Sequence, residues 1–199
     1  MTNQPPIEPE FPTGDFVQGR LSAFEQIYTL YYPGVERFAR EFIQDKAVAE
    51  KIITDTFLKL WLNHTGFGSP KNIEAFLHLG IQRACFDYLK QIEKLTPQQQ
   101  RKMQESYSRT LPYVQKDGHA MKTIIQSWLQ QLPAPISHIA RQAFDAGLGD
   151  EQIAAQMNST AAEIKAQKAK AILLLKERWL ARTEAELSVF RDLLADAKR

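Results

Sequence analysis

The chain has 199 residues, 44% of them hydrophobic and 24% charged, with a formal net charge of +2. That is the profile of an ordinary globular protein with apolar material for one domain or two small ones. It excludes a collagen-like, strongly acidic or polybasic chain. The one cysteine, Cys85, rules out an internal disulfide, fits a reducing compartment, and sits in an apolar helical stretch as a small buried hydrophobe. No apolar run approaches the ~20 residues needed to span a bilayer. The start, MTNQPPIEPEFPTGD, has neither the basic start nor the apolar run of a signal peptide. The cytoplasm is the expected location.

Residues 1–20 are expected as a flexible arm, with prolines at Pro5, Pro6, Pro9 and Pro12. From Leu21 the period becomes helical: Leu21, Phe24, Ile27, Tyr28, Tyr31 and Tyr32, then Val35, Phe38, Ala39 and Phe42. Pro33 and Gly34 between them predict one kinked helix or two abutting ones. Asp45 is a suitable N-cap for a second helix, with Ala49, Ile52, Ile53, Thr56, Phe57, Leu60 and Trp61 on one face. The stretch 64–72 is a loop by its glycines and proline, and Asn72 is expected to cap a third helix. That helix carries a stripe of Ile73, Phe76, Leu77, Gly80, Ile81, Ala84, Cys85, Tyr88 and Leu89. Residues 21–94 therefore predict a helical bundle.

Residues 95–118 are polar, Gln-rich and proline-interrupted, and are expected as a linker. Helices are predicted at about 119–131, 136–146, 150–157 and 161–182, followed by an amphipathic tail over 183–199. The expected fold is all-α, with two small helical domains, 21–94 and 119–182, joined by that linker.

No phosphate loop, paired-cysteine metal site, zincin motif or GxSxG is present, and the four histidines have no ligand-like spacing. Catalysis, a metal and a cofactor are not expected. The informative element is GLGDEQIAAQMNSTAAEIKAQKAKAILLLKERW, which is helix, tight turn, helix. Ile153, Ala154, Met157 and Ile164 point inward, and Asn158, Ser159 and Thr160 form the turn. This is helix-turn-helix geometry, whose second helix enters a DNA major groove. That helix projects Glu163, Lys165, Ala166, Gln167, Lys168 and Lys170. Residues 121–182 carry eight Lys/Arg against five Asp/Glu, whereas 21–94 carry nine of each, so positive charge gathers where DNA contact is expected. A plain helical hairpin with a solvated lysine face would give the same spacing.

The two halves together resemble the extracytoplasmic-function sigma factors. FEQIYTLYYPGVERFAREFI resembles the opening helix of their promoter-melting domain. AVAEKIITDTFLKLW resembles its second helix and NIEAFLHLGIQRACFDYLK its third. LPAPISHIARQAFDAGLGDEQIAAQMNSTAAEIKAQKAKAILLLKER resembles the domain that reads the upstream promoter element. The nearest group is the one paired with outer-membrane nutrient receptors. The resemblance implies that Glu50, Lys51, Asp55 and Leu58, with Trp61, form a surface for core RNA polymerase. It implies that Lys71, Asn72 and Phe67 capture an unstacked base of the −10 element and that Arg83 and Lys90 meet phosphates. It places Glu163, Lys165, Gln167 and Lys168 on the helix that reads the −35 element. It further implies promoter DNA and a membrane-anchored anti-sigma factor as partners, and no cofactor. Departures from the family pattern fall at Lys51, Thr54, Arg83, Gln152, Ser159 and Glu163. The rival readings are a divergent sigma-like adaptor that binds no promoter and a conventional dimeric helix-turn-helix regulator.

Overall fold

The computed structural model describes residues 11–93, 95–98, 100–101 and 118–196, with side chains described as far as Arg182 except Ala120. Among these residues every regular element is helical: α1 (Thr13–Val17), α2 (Leu21–Phe42), α3 (Lys46–Leu62), α4 (Pro70–Ile92), α5 (Gly118–Gln130), α6 (Ile136–Ala140), α7 (Asp150–Met157) and α8 (Ala161–Asp196). A 3₁₀ turn, His64–Gly66, follows α3, and a single π-turn, Arg141–Asp145, prolongs α6.

Local chemistry accounts for most of these boundaries. Asp45 caps α3, its Oδ1 accepting from the Val48 N–H at 3.1 Å. For α4 the cap is Ser69 rather than Asn72: the Ser69 Oγ accepts from the Asn72 N–H at 3.3 Å, and Pro70 takes the first helical position. α2 runs unbroken through Pro33. Pro33 and Gly34 both lie on its exposed side, while Tyr32, Val35 and Ala39 are buried on the other, so packing holds the two stretches in one helix.

α2, α3 and α4 pack pairwise around Phe24, Tyr28, Phe57, Ile73 and Ile81. α5 to α8 form a second group, around Ile125, Ile139, Ile153, Ile164 and Leu175. The buried side chains of the two groups are one continuous cluster. α5 crosses α2 so closely that a Cβ at Gly118 would lie 2.5 Å from the Glu25 carbonyl oxygen. Lys122 pairs with the Glu25 carboxylate at 3.4 Å beside it.

Residues 11–20 depart from the expected arm. Phe16 in α1 is fully buried, and Gly19 turns the chain into α2 with φ of +80°. A side chain is excluded there twice over, by that conformation and by His64 and Phe144, which a Cβ would meet at 2.9 Å. Residues 1–10 and most of the expected linker lie outside the described residues. Of its described part, Leu95 is buried, and Gln100 Nε2 donates to the carbonyls of Ile92 and Leu95. The helix predicted to end near residue 182 continues to Asp196, so helix-turn-helix and tail share one rod.

Candidate nucleic-acid interface

α4 buries Ile73, Leu77, Ile81, Cys85 and Tyr88 on one face. At ~100° per residue, Asn72, Leu79, Arg83, Phe86 and Lys90 return to the opposite face. All five are exposed. From Asn72 to Lys90 the stripe spans nineteen residues, or about 27 Å of helix axis. It interleaves two cations, an amide and two large apolar groups, the composition that a nucleic-acid strand meets with its phosphates and base faces. Among the described residues Arg83 makes one distant contact, with Asp87 at 4.0 Å, and 87% of its side chain is exposed. Lys71 is exposed one position off the stripe. Phe67 is not open: its ring stacks edge-on against Phe76 at 4.9 Å and is half-buried. Leu79 and Phe86 were missed by sequence reasoning, although they are the large apolar residues of 70–92 that stand off the predicted stripe.

The residues expected to meet polymerase are arranged differently. Leu58 is fully buried and Lys51 is 4% exposed, so neither presents a side chain outward, contrary to expectation. α3 is covered on nearly every side because α2, α4 and α8 all pack on it. Lys51 Nζ donates to Asp55 Oδ2 at 2.7 Å, and Arg182 Nη2 on α8 donates to Asp55 Oδ1 at 3.0 Å. The cation at 51 is thus one side of a two-cation cradle for Asp55. Glu50 is half-buried and pairs with Lys46 at 3.5 Å. Trp61 is fully buried; its indole N–H donates to the Gly19 carbonyl at 3.1 Å and its ring meets Phe144 edge-on at 5.8 Å.

The helix-turn-helix is formed as expected by α7, a turn and α8. Asn158 ends α7 in the left-handed region with φ of 54°, and the Ser159 N–H donates to the Ala154 carbonyl at 3.0 Å. The start of α8 is a reciprocal cap. The Glu163 N–H donates to Thr160 Oγ1 at 3.2 Å, and Glu163 Oε2 accepts from the Thr160 N–H at 2.9 Å and from the Ser159 hydroxyl at 2.6 Å. These bonds hold the Glu163 carboxyl below its ordinary pKa. Glu163, expected to meet DNA, has its carboxylate committed to the turn. Gln152 has a parallel duty, its Oε1 accepting from the Gly149 N–H at 2.9 Å.

Of the remaining reading residues, Lys165 is exposed as expected, whereas Gln167 and Lys168 are half-buried. Lys168 Nζ donates to Asp150 at 2.7 Å. Lys165 and Lys168 line a cavity of about 740 Å³ with Gln18, Arg20 and Asp150. A neighbouring cavity of about 450 Å³ adds His64, Ile172 and Lys176. His64 lies at this seam, its Nδ1 2.7 Å from the Trp61 carbonyl. Burial chiefly lowers its pKa, with Lys168 and Lys176 adding to the effect and the Trp61 carbonyl opposing it. Cys85 is buried on α4, its thiol pushed up to about 11, which makes it a small hydrophobe and no nucleophile.

Residues 27–94 match the family model for Sigma-70 region 2. The matched span runs from the second turn of α2 to the end of α4, and so contains the exposed stripe and the Lys51–Asp55 pair, but not Arg182. The match covers about a third of the chain and supports a relationship to the sigma factors over that span. No curated protein and no solved structure matches the chain. α5 to α8 lie beyond the region 2 match. Among the described residues no helix is long and apolar enough to cross a membrane, and no group of His, Cys, Asp and Glu is placed to hold a metal ion.

Proposed function

We propose that the chain is a sigma factor of the extracytoplasmic-function type that directs RNA polymerase to specific promoters in the cytoplasm. The observation that carries this reading is the exposed α4 stripe inside the region 2 match. Asn72 and Lys71 sit at the loop end, where a flipped base of the −10 element would be held, and Arg83 and Lys90 follow the phosphates. Leu79 and Phe86 supply the apolar surface between them. α3, through Glu50 and Asp55, is the polymerase-binding helix. α7 and α8 read the −35 element, with Lys165 as the base or phosphate contact and Lys168 joining it once released from Asp150. The two helical groups act as separate domains on DNA. A membrane-anchored anti-sigma factor controls the chain, within the group paired with outer-membrane nutrient receptors. No cofactor takes part.

Run-off transcription with core polymerase is the test. The wild-type chain should start transcription from a promoter that core polymerase alone ignores. The Arg83→Ala, Lys90→Ala double variant should weaken promoter binding and lower the salt slope by about two units, since each lost phosphate contact releases about one counterion fewer. Core-independent binding to a palindromic site would instead identify a dimeric regulator. The engagement of Glu163 and Lys168 within the chain favours one second reading, a sigma-like adaptor. Polymerase binding without promoter selection would establish it.

A further inference from the structure

α8 is 36 residues long, about 54 Å of helix, well beyond what a helix-turn-helix requires. Its first turns seat Ile164, Ala171 and Leu175 in the core of the second helical group. The rod then crosses to the other group. The Lys59 Nζ lies 4.9 Å from the centroid of the Trp179 ring, a cation–π contact. One turn later Arg182 Nη2 meets Asp55 Oδ1 at 3.0 Å, with 20% and 23% of the two side chains exposed. Trp179 and Arg182 are three apart on α8, and Asp55 and Lys59 are four apart on α3. Each pair shares one helix face, so the contact is a two-point clamp between two rods. Arg178 on the same turn donates to Gln131 Oε1 and ties the rod to the end of α5.

We propose that this part of α8 is an intramolecular strap that masks the polymerase-binding face of α3, a proposal that rests on the assignment of α3 to polymerase given above. Both Asp55 carboxylate oxygens are taken, one by Lys51 and the other by Arg182. A partner that docks on Asp55 must present a cation where the Arg182 guanidinium stands. Docking on polymerase is then an exchange of one cation for another, and the strap must lift first. The chain's affinity for polymerase is reduced by the fraction of molecules in which the strap is closed. The same clamp holds the second helical group against the first, so lifting the strap also frees the seam lined by Lys165 and Lys168.

The experiment measures binding of the full chain to purified core RNA polymerase by fluorescence anisotropy, with helix content followed by circular dichroism. Three chains are compared: wild type, Arg182→Ala and Trp179→Ala. Arg182 and Trp179 lie outside the proposed polymerase surface, so neither substitution removes a polymerase contact. Arg182→Ala should tighten the apparent Kd by about three- to tenfold, the loss of one partly buried ion pair from the closed form. Trp179→Ala should tighten it by about twofold or more, at the strength of an exposed cation–π contact. Binding by the variants where the wild type fails supports the strap still more strongly. Unchanged or weaker affinity in both variants, at wild-type helix content, overturns it. If none of the three binds, the polymerase assignment of α3 fails, and the masking proposal with it.

Discussion

α4 and α8 are the two helices on which DNA contacts were predicted, and they present those contacts in opposite ways. On α4 the residues predicted from the sequence, Asn72, Arg83 and Lys90, stand together on an open face with Leu79 and Phe86. On α8, Lys168 is tied to Asp150 and Glu163 caps its own helix, which leaves Lys165, exposed at the rim of the seam, as the open cation of the predicted set. The difference lies in what covers each helix. α4 packs by one face against α2 and α3, and its other side stays exposed at Asn72, Leu79, Arg83 and Lys90, with Phe86 at the margin edge-on against Phe42 at 5.3 Å. α8 packs against α6 and α7 by one face and turns the adjacent face toward α3 and the α1–α2 turn. A helix covered once keeps its polar face open. A helix covered twice keeps only what the second contact leaves.

That second contact is organised by Trp61, so removing its ring is the harshest way to break the comparison. Trp61→Ala deletes a fully buried ring, its hydrogen bond to the Gly19 carbonyl and its edge contact with Phe144. The expected loss is about 3–5 kcal/mol, read from urea unfolding at neutral pH. Chemical acetylation of Lys168 should speed up in this variant, whereas that of the exposed Lys165 and of Lys90 on α4 should not change. A loss below about 1 kcal/mol with equal acetylation rates would mean that Trp61 does not anchor the seam.

The seam also shows where sequence reading stops. The Asp45 cap, the buried stripe of α4 and the turn at Asn158 are local features, set by residues within a turn or two, and all are legible. Arg83 and Lys90 are legible too, because a helix covered on one face shows its other face by periodicity alone. The burial of Lys51 and Leu58 is not. What covers them comes partly from α8, 127 residues away in the case of Asp55 and Arg182, and no period within α3 reports it. Phe16 and Gly19 were hidden by the prolines before them, which read as an arm until the pocket formed by Trp61, His64 and Phe144 is known. Glu163 is a different case. Thr160 and Glu163 have the spacing of a capping box, so the signal was present. It was read as a departure from a DNA-contact pattern because the helix-turn-helix reading claimed the residue first.

A smaller test uses the protonation of His64. Its pKa is held below the ordinary 6.5, chiefly by burial. The unfolded chain therefore takes up this proton at higher pH than the folded chain does. The stability linked to neutral His64 is present above about pH 6.5 and is lost as pH falls through the lower folded value. The charged ring would face Lys168 and Lys176, so the loss should appear at the seam. Melting temperatures from pH 7.5 down to 5 should fall more steeply for the wild type than for His64→Gln. Equal slopes would place the histidine's influence elsewhere and weaken the contrast between the two helices.

The smallest expected effect separates the turn from the reading face. If Glu163 serves only the start of α8, its role is local and independent of the seam. Thr160→Ala removes the hydroxyl that accepts from the Glu163 N–H and should cost about 1 kcal/mol, the ordinary value of an N-cap. Glu163→Gln keeps an oxygen to accept from the Thr160 N–H but loses the charge that favours a helix N-terminus, so it should destabilise less than Thr160→Ala. Because its carboxyl is held below the usual range, the Glu163 contribution is present at neutral pH and lost as pH falls through that lowered value. The two substitutions should be strongly non-additive, since each removes one side of the same reciprocal cap. A double-mutant cycle at pH 7 measures this by thermal unfolding, alongside promoter binding by holoenzyme. Promoter selectivity should be unaltered by Glu163→Gln. Should Glu163→Gln change base preference at a −35 position while leaving stability intact, Glu163 reads DNA, and α8 presents more of its face to the groove than the cap geometry indicates.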